Sequence, residues 1–209
     1  MSQLLPKHLC ILLITTYLTK IPYLDAVIAE ITRHNSAIKI VPREATADTE
    51  LLGHRIPKGT EVFFLTGGAS FLEPSHQIDE AKRSPTSQEA KAKCSAWDEN
   101  DLGAFIPERW LARDENGNVV FDSRAGPALP FGAGPRACFG ESELGIGLLS
   151  STNACIDRKL AEMQLRIFLA LTVWSFDLRP TPPELSTFKA QDLLANEPVQ
   201  CYLRLAELK

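Results

Sequence analysis

At 209 residues the chain is long enough to bury a core of its own, and its 44% hydrophobic and 23% charged content is that of a globular protein. A formal net charge of -4 gives no general electrostatic case for nucleic acid or an anionic membrane as partner. Five cysteines (Cys10, Cys94, Cys138, Cys155 and Cys201), spread without a short repeat, argue against a disulfide framework and against a Cys-x-x-Cys zinc or redox site, so they are expected to be reduced.

The run Leu9 to Leu18 is shorter than the roughly 20 apolar residues a membrane span needs. No small-residue cleavage site follows it, and it is expected to be a buried helix end. From Ile21 to Asn35, Leu24, Val27, Ile28 and Ile31 recur at helical spacing behind Pro22, which suits a first turn. Glu30 and Arg33 fall on one face of that helix. The segments "IKIVPREA" and "TELLGHRIPKGTEVFFLTG" predict two or three strands in a small sheet, broken by Gly53, Pro57 and Gly59. Glu73 to Ala96 is polar and reads as an exposed loop with one short helix. Apolar anchors return at Phe105, Trp110 and Phe121 around a turn at Asn116-Gly117-Asn118. Lys159 to Trp174 predicts a strong helix, with a stripe of Leu160, Met163, Ile167, Leu171 and Trp174 widened by Leu165, Phe168 and Leu169. "SFDLRPTPPELSTF" then reads as an irregular link, and "VQCYLRLAEL", in which Val199, Cys201 and Leu203 alternate, predicts a final strand. His8, His34, His54 and His76 lack metal-ligand spacing and read as ordinary surface or core residues.

The chemistry concentrates in Phe131-Gly132-Ala133-Gly134-Pro135-Arg136-Ala137-Cys138-Phe139-Gly140. Three glycines let the backbone turn sharply on either side of the sulfur and approach a flat ligand closely. A cysteine thiolate held in this way is a competent iron ligand. Backbone N-H groups directed at the sulfur disperse its charge, and Arg136 supplies a cation suited to a carboxylate.

This loop resembles the haem-binding pattern of the cytochrome P450 family, Phe-x-x-Gly-x-Arg-x-Cys-x-Gly, met by Phe131, Gly134, Arg136, Cys138 and Gly140. Two more family patterns occur in family order: Glu-x-x-Arg at Glu30 to Arg33, and the Pro-Glu-Arg-Phe-like segment at Pro107 to Trp110. The stretch between them resembles in particular the fungal members, many of which serve secondary metabolism. The resemblance implies a mainly α fold with a small β region, comprising the K helix, β1 hairpin region, meander, cysteine loop, L helix and C-terminal strands. It implies haem b as cofactor, Cys138 as proximal thiolate, Phe131 as shield of the sulfur, and Arg136 and Arg43 as propionate partners. Glu30, Arg33 and Arg109 are then a buried structural triad. The implied partners are a small organic substrate and NADPH-cytochrome P450 reductase, with no nucleic acid. Full-length relatives imply the endoplasmic reticulum membrane, reached through an N-terminal anchor.

The resemblance runs over residues 21–209; Met1 to Lys20 do not resemble the I helix, which handles protons for oxygen activation. A chain offering only the cysteine-loop side of the haem is expected to expose apolar faces and to lack monooxygenase activity alone. A second interruption lies inside the matched region. Glu141 to Asp157 separates Gly140 from "RKLAEMQLRIF", where the family continues almost at once into the L helix, and removing it restores the family spacing. Gly145, Gly147 and the "SSTN" run make it poor helix. It is expected to be translated intron sequence, displacing the helix N-terminus that helps to hold the thiolate charge. The competing expectations are therefore a monooxygenase in complete form, a non-catalytic haem-associated relic, and a small α+β protein whose cysteine loop is structural.

Overall fold

A computed structural model describes residues 20–93, 95–132, 156–187, 189–192 and 195–208. Among these, helix does not dominate, which departs from the mainly α expectation: three α-helices accompany ten short strands, paired into five two-stranded sheets. The physical reason lies in the turn-rich middle of the chain, where glycine and proline limit strands to three to five residues. The described residues fall into two compact units, one containing 29–130 and 192–196, the other containing the described parts of 1–28, 131–191 and 197–209.

Helix α1 (Pro22–His34) matches the sequence expectation. Ala26 and Ile28 are buried on its apolar side. Arg33 and His34 occupy the last turn, where a positive charge meets the negative end of the helix dipole. Asn35 closes the helix, its backbone and side-chain N-H groups both donating to the Ile31 carbonyl at 2.9 and 3.1 Å.

In the first unit β1 (Ile40–Glu44) pairs antiparallel with β4 (Glu61–Leu65), in register Ile40 to Leu65. Between them β2 (Thr49–Leu51) and β3 (His54–Ile56) form a hairpin closed by two residues at positive φ, Leu52 at 52° and Gly53 at 83°. That conformation matches the twist of the flanking strands and is one a leucine adopts only under the constraint of its pairing. The Gly68 carbonyl then accepts from the amides of Phe71, Leu72 and Glu73, a tight coil that fixes where the Phe71 carbonyl points.

The polar stretch is indeed exposed and carries one α-helix, α2 (Pro85–Ala92), preceded by a 3-10 turn at Glu80–Lys82. Ser84 caps α2 by accepting from the Ser87 amide, and neither element buries a residue. Pro107–Trp110 forms a second 3-10 turn leading into β5 (Leu111–Arg113). β5 pairs with β6 (Val119–Phe121) around the expected turn, in which Asp114 accepts from the amides of Asn116 and Asn118.

In the other unit α3 (Ile156–Ser175) includes the predicted helix but starts two residues inside the stretch identified as an insert, and it passes directly into β7 (Phe176–Arg179). The irregular link predicted there is thus partly strand. Its partner is β10 (Arg204–Glu207), which falls inside the predicted final strand segment "VQCYLRLAEL", while the alternating part of that segment, Val199 to Leu203, forms no regular element. Alternation permits a strand, but an available edge decides which residues form it. A short hairpin of β8 (Ala190–Asp192) and β9 (Asn196–Pro198) precedes β10.

Candidate functional site

The most ordered polar constellation is built on the C-terminal turn of α1. Glu30 has no solvent exposure, and its two carboxylate oxygens receive five donors. Oε1 accepts from Arg33 Nη2 at 2.8 Å, the Ile106 amide at 2.9 Å and Arg109 Nε at 3.2 Å. Oε2 accepts from Arg33 Nε at 2.8 Å and the Trp110 indole N-H at 2.9 Å. Spacing of three residues on a helix is what allows Arg33 to grip the carboxylate with two parallel bonds. The other donors arrive from the 3-10 turn at Pro107–Trp110 and the residue before it.

Burial on its own pushes the Glu30 carboxyl up and is the largest single influence. The Arg33 hydrogen bonds, the Ile106 amide, the Trp110 indole and the Arg33 charge together outweigh it and hold the group down at about 2. A carboxylate so saturated has no lone pair to spare for a reacting proton. The cluster is a clamp between α1 and the chain around residues 101–110.

Arg33 extends the clamp through backbone carbonyls. Its Nη1 donates to Phe71, at the tight coil after Gly68, and to Leu102 at 2.9 Å. Arg109 adds Asp101, donating to its carboxylate at 2.9 Å and its carbonyl at 3.1 Å. Trp97 lies against both cations: the Arg33 and Arg109 guanidinium carbons stand 5.7 and 5.3 Å from its ring centroid. Trp110 meets Trp97 edge-on at 4.9 Å, and the Trp97 indole donates to the Pro127 carbonyl at 2.8 Å. Gly126 closes the stack, since a Cβ there would fall 2.2 Å from Trp97 Cε2.

Of the residues predicted from sequence, Glu30, Arg33 and Arg109 come together in this cluster. Arg43 lies exposed on β1, where it donates to the Pro42 carbonyl at 2.8 Å. Phe131 is half-buried, and Gly132 has φ of 73°. Gly134, Arg136, Cys138 and Gly140 lie outside the described residues, as do the Leu9 to Leu18 run and residues 141–155 of the insert. The sequence did not signal Trp97, Asp101 or His34 as members of the cluster. Trp97 had a weak signal in being one of three tryptophans, whereas the carbonyls of Phe71 and Leu102 have none, because every residue carries one. A cleft of about 400 Å³ opens beside Trp97 and Leu102. Its rim cations Arg83 and Lys91 both pair with Glu80, and Glu99 across from them accepts from the Ser75 hydroxyl.

Comparison with known proteins points one way. The cytochrome P450 family model matches residues 13–70. A cytochrome P450 monooxygenase of Pestalotiopsis microspora is 40% identical over 191 residues, covering 91% of this chain and 30% of the relative. One from Dothistroma septosporum is 39% identical, covering 88% of this chain and 57% of the relative, and one from Fusarium sporotrichioides is 38% identical, covering 90% and 31%. A cytochrome P450 crystal structure superposes with a TM-score of 0.54 at 23% identity, covering 89% of this chain and 32% of that one, which speaks for the fold. The chain thus spans less than two thirds of each of these relatives. With the Glu-x-x-Arg clamp, its arginine from the Pro-Glu-Arg segment, and relatives matched over most of its length, the chain is similar to the cytochrome P450 family.

Proposed function

We propose that the chain forms the cysteine-loop side of a haem-thiolate monooxygenase, with Cys138 as the proximal ligand of haem b. The observation that carries this reading is the Glu30, Arg33 and Arg109 clamp. Two family motifs more than 70 residues apart in sequence meet on one buried carboxylate, in the order that also leads to the cysteine motif. On this reading α1 is the K helix, β1 to β4 the β1 hairpin region, residues 97–130 the meander, α3 the L helix and β7 to β10 the C-terminal strands.

The two described residues at the start of the motif are compatible with a close approach to a flat cofactor: Gly132 takes a positive φ that favours glycine, and half-buried Phe131 precedes it. Bound haem supplies the oxygen and one-electron chemistry. The chain's own residues supply the setting. The Cys138 thiolate gives electron density to the iron. Phe131 shields the sulfur, Gly134 and Gly140 allow close backbone approach, and Arg136 and Arg43 neutralise propionates. The clamp at Glu30 holds α1 and the meander in register with each other. A reductase supplying electrons and a small organic substrate complete the assembly.

A second reading, in which the chain alone has no monooxygenase activity, is favoured by one observation. Phe168 and Trp174 on α3 are 61% and 69% exposed, large apolar side chains of the kind that pack against other elements. The seam between Gly140 and Arg158 bears on both readings. We assign Glu141 to Asp157 to translated intron sequence, and a spliced transcript that retains those codons would refute this.

Haem reconstitution of the purified chain tests the main reading. The reduced carbon monoxide complex is expected to show the red-shifted absorption of thiolate-ligated iron, and Cys138→Ser is expected to abolish it. Survival of that band in the variant would exclude Cys138 as ligand. A folded chain that takes up no haem would favour a structural role for the loop.

A further inference from the structure

We infer that His34 is a fourth member of the clamp, held as the neutral tautomer with its proton on Nδ1 and accepting the last N-H of Arg33 through Nε2. The inference rests on the geometry of the clamp and is independent of haem binding. Arg33 is buried and carries five N-H donors, none of which can be removed by deprotonation. Four have acceptors in the cluster: Nε-H in Glu30 Oε2, one Nη2 hydrogen in Glu30 Oε1, and the two Nη1 hydrogens in the carbonyls of Phe71 and Leu102. The fifth, on Nη2, has His34 Nε2 at 2.8 Å and the Ala104 carbonyl at a longer 3.3 Å.

A guanidinium nitrogen offers no lone pair, so a nitrogen 2.8 Å from it has to be the acceptor. That requirement removes the proton from Nε2 and places it on Nδ1. The alternative, an Nε2-H donating to the Ala104 carbonyl at 3.2 Å, would set two N-H groups against each other across the shorter contact. Glu30 Oε1, 3.5 Å away, does not rescue that alternative, because three other donors already occupy it. The ring is held from its other side by Phe105, with centroids 5.8 Å apart. His34 is therefore a positioning residue: it satisfies Arg33 and sets the end of α1 against Phe105, next to the Ile106 amide that feeds Glu30.

Nitrogen NMR of the full chain labelled at histidine tests the tautomer without any substitution, at about pH 8, where imidazole is ordinarily neutral. Loss of one signal pair in His34→Gln assigns the residue. Nδ1 is expected to appear as the protonated nitrogen and Nε2 as the bare one; the reverse assignment, or averaging between the two, overturns the inference. A rescue series tests the role. His34→Leu leaves the fifth Arg33 N-H only its longer 3.3 Å contact with the Ala104 carbonyl and is expected to lower the folding equilibrium constant about tenfold. His34→Gln, whose amide oxygen can accept, is expected to recover most of that loss. Equal losses for leucine and glutamine would overturn the inference.

Discussion

The surroundings of Glu30 and the surface of α3 solve opposite problems. Around Glu30 the chain buries a carboxylate and two guanidinium groups, normally the costliest groups to take out of water, and makes this tolerable by giving every oxygen of the carboxylate its donors locally. Along α3 it leaves Phe168, Val173 and Trp174 exposed, although these are the groups water most favours burying. The difference teaches that the first region satisfies its polar groups locally, whereas the second leaves large apolar side chains exposed among the described residues. A clamp made of directional bonds can be finished by a few nearby residues; apolar side chains spread from Leu160 to Trp174 along a helix of 20 residues need a longer element to cover them.

Breaking the first region should cost most. Glu30→Ala leaves Arg33, Arg109, the Ile106 amide and the Trp110 indole without their common acceptor, and is expected to cost about 3–5 kcal/mol in denaturant unfolding. Acid should reach the same interaction more gently. Glu30 is held at about 2 against an ordinary 4.5. Its contribution is therefore fully present above the unfolded value and is lost as pH falls from about 4.5 toward 2. The shift corresponds to roughly 3 kcal/mol. Unfolding curves across that window should show the loss, and Glu30→Gln should flatten this part of the profile; an unchanged slope would mean that other carboxylates dominate.

The aromatic side of the clamp offers a smaller test. Gly126 adopts no left-handed backbone, so an alanine is conformationally acceptable there, and its cost isolates the close approach to Trp97. The added Cβ would lie 2.2, 2.3 and 2.6 Å from three ring atoms, so the indole or the chain has to move. Overpacking of this kind costs about 1–3 kcal/mol. Near-ultraviolet circular dichroism should report the altered tryptophan pair along with the lower stability. An alanine variant with both signals unchanged would show that the ring is not pressed against the backbone.

What could be read from sequence divides along a physical line. Glu30 and Arg33 were readable because helical spacing alone puts them together, and Arg109 because a second short motif names it. Helix α1 was readable from Leu24, Val27, Ile28 and Ile31, and the β5 to β6 turn from Asn116-Gly117-Asn118. His34 and Trp97 were not, since their roles depend on which carbonyls and which glycine the fold brings beside them. The strand at Phe176–Arg179 was missed because it exists by pairing with Arg204–Glu207, and its own residues carry a proline-rich continuation that suggests a link. The excess of strand over expectation has the same origin. Among the described residues, five two-stranded sheets are made by pairings that hydrophobic period does not announce.

The smallest stability effect is expected where the apolar surface is largest. Trp174 is more than two thirds exposed at the end of α3, so Trp174→Ser removes little buried area, and a surface change of this kind usually alters stability by less than about 0.5 kcal/mol. The same substitution should act strongly on association, because an exposed apolar stripe is a site for self-contact or capture by another element. Light scattering and binding of a hydrophobic dye should both fall in Trp174→Ser, and fall further when Phe168→Ser is added, while the unfolding midpoint stays nearly constant. A large drop in the midpoint would mean that Trp174 packs within its own unit, and the contrast between the self-sufficient clamp and the waiting helix face would then have to be withdrawn.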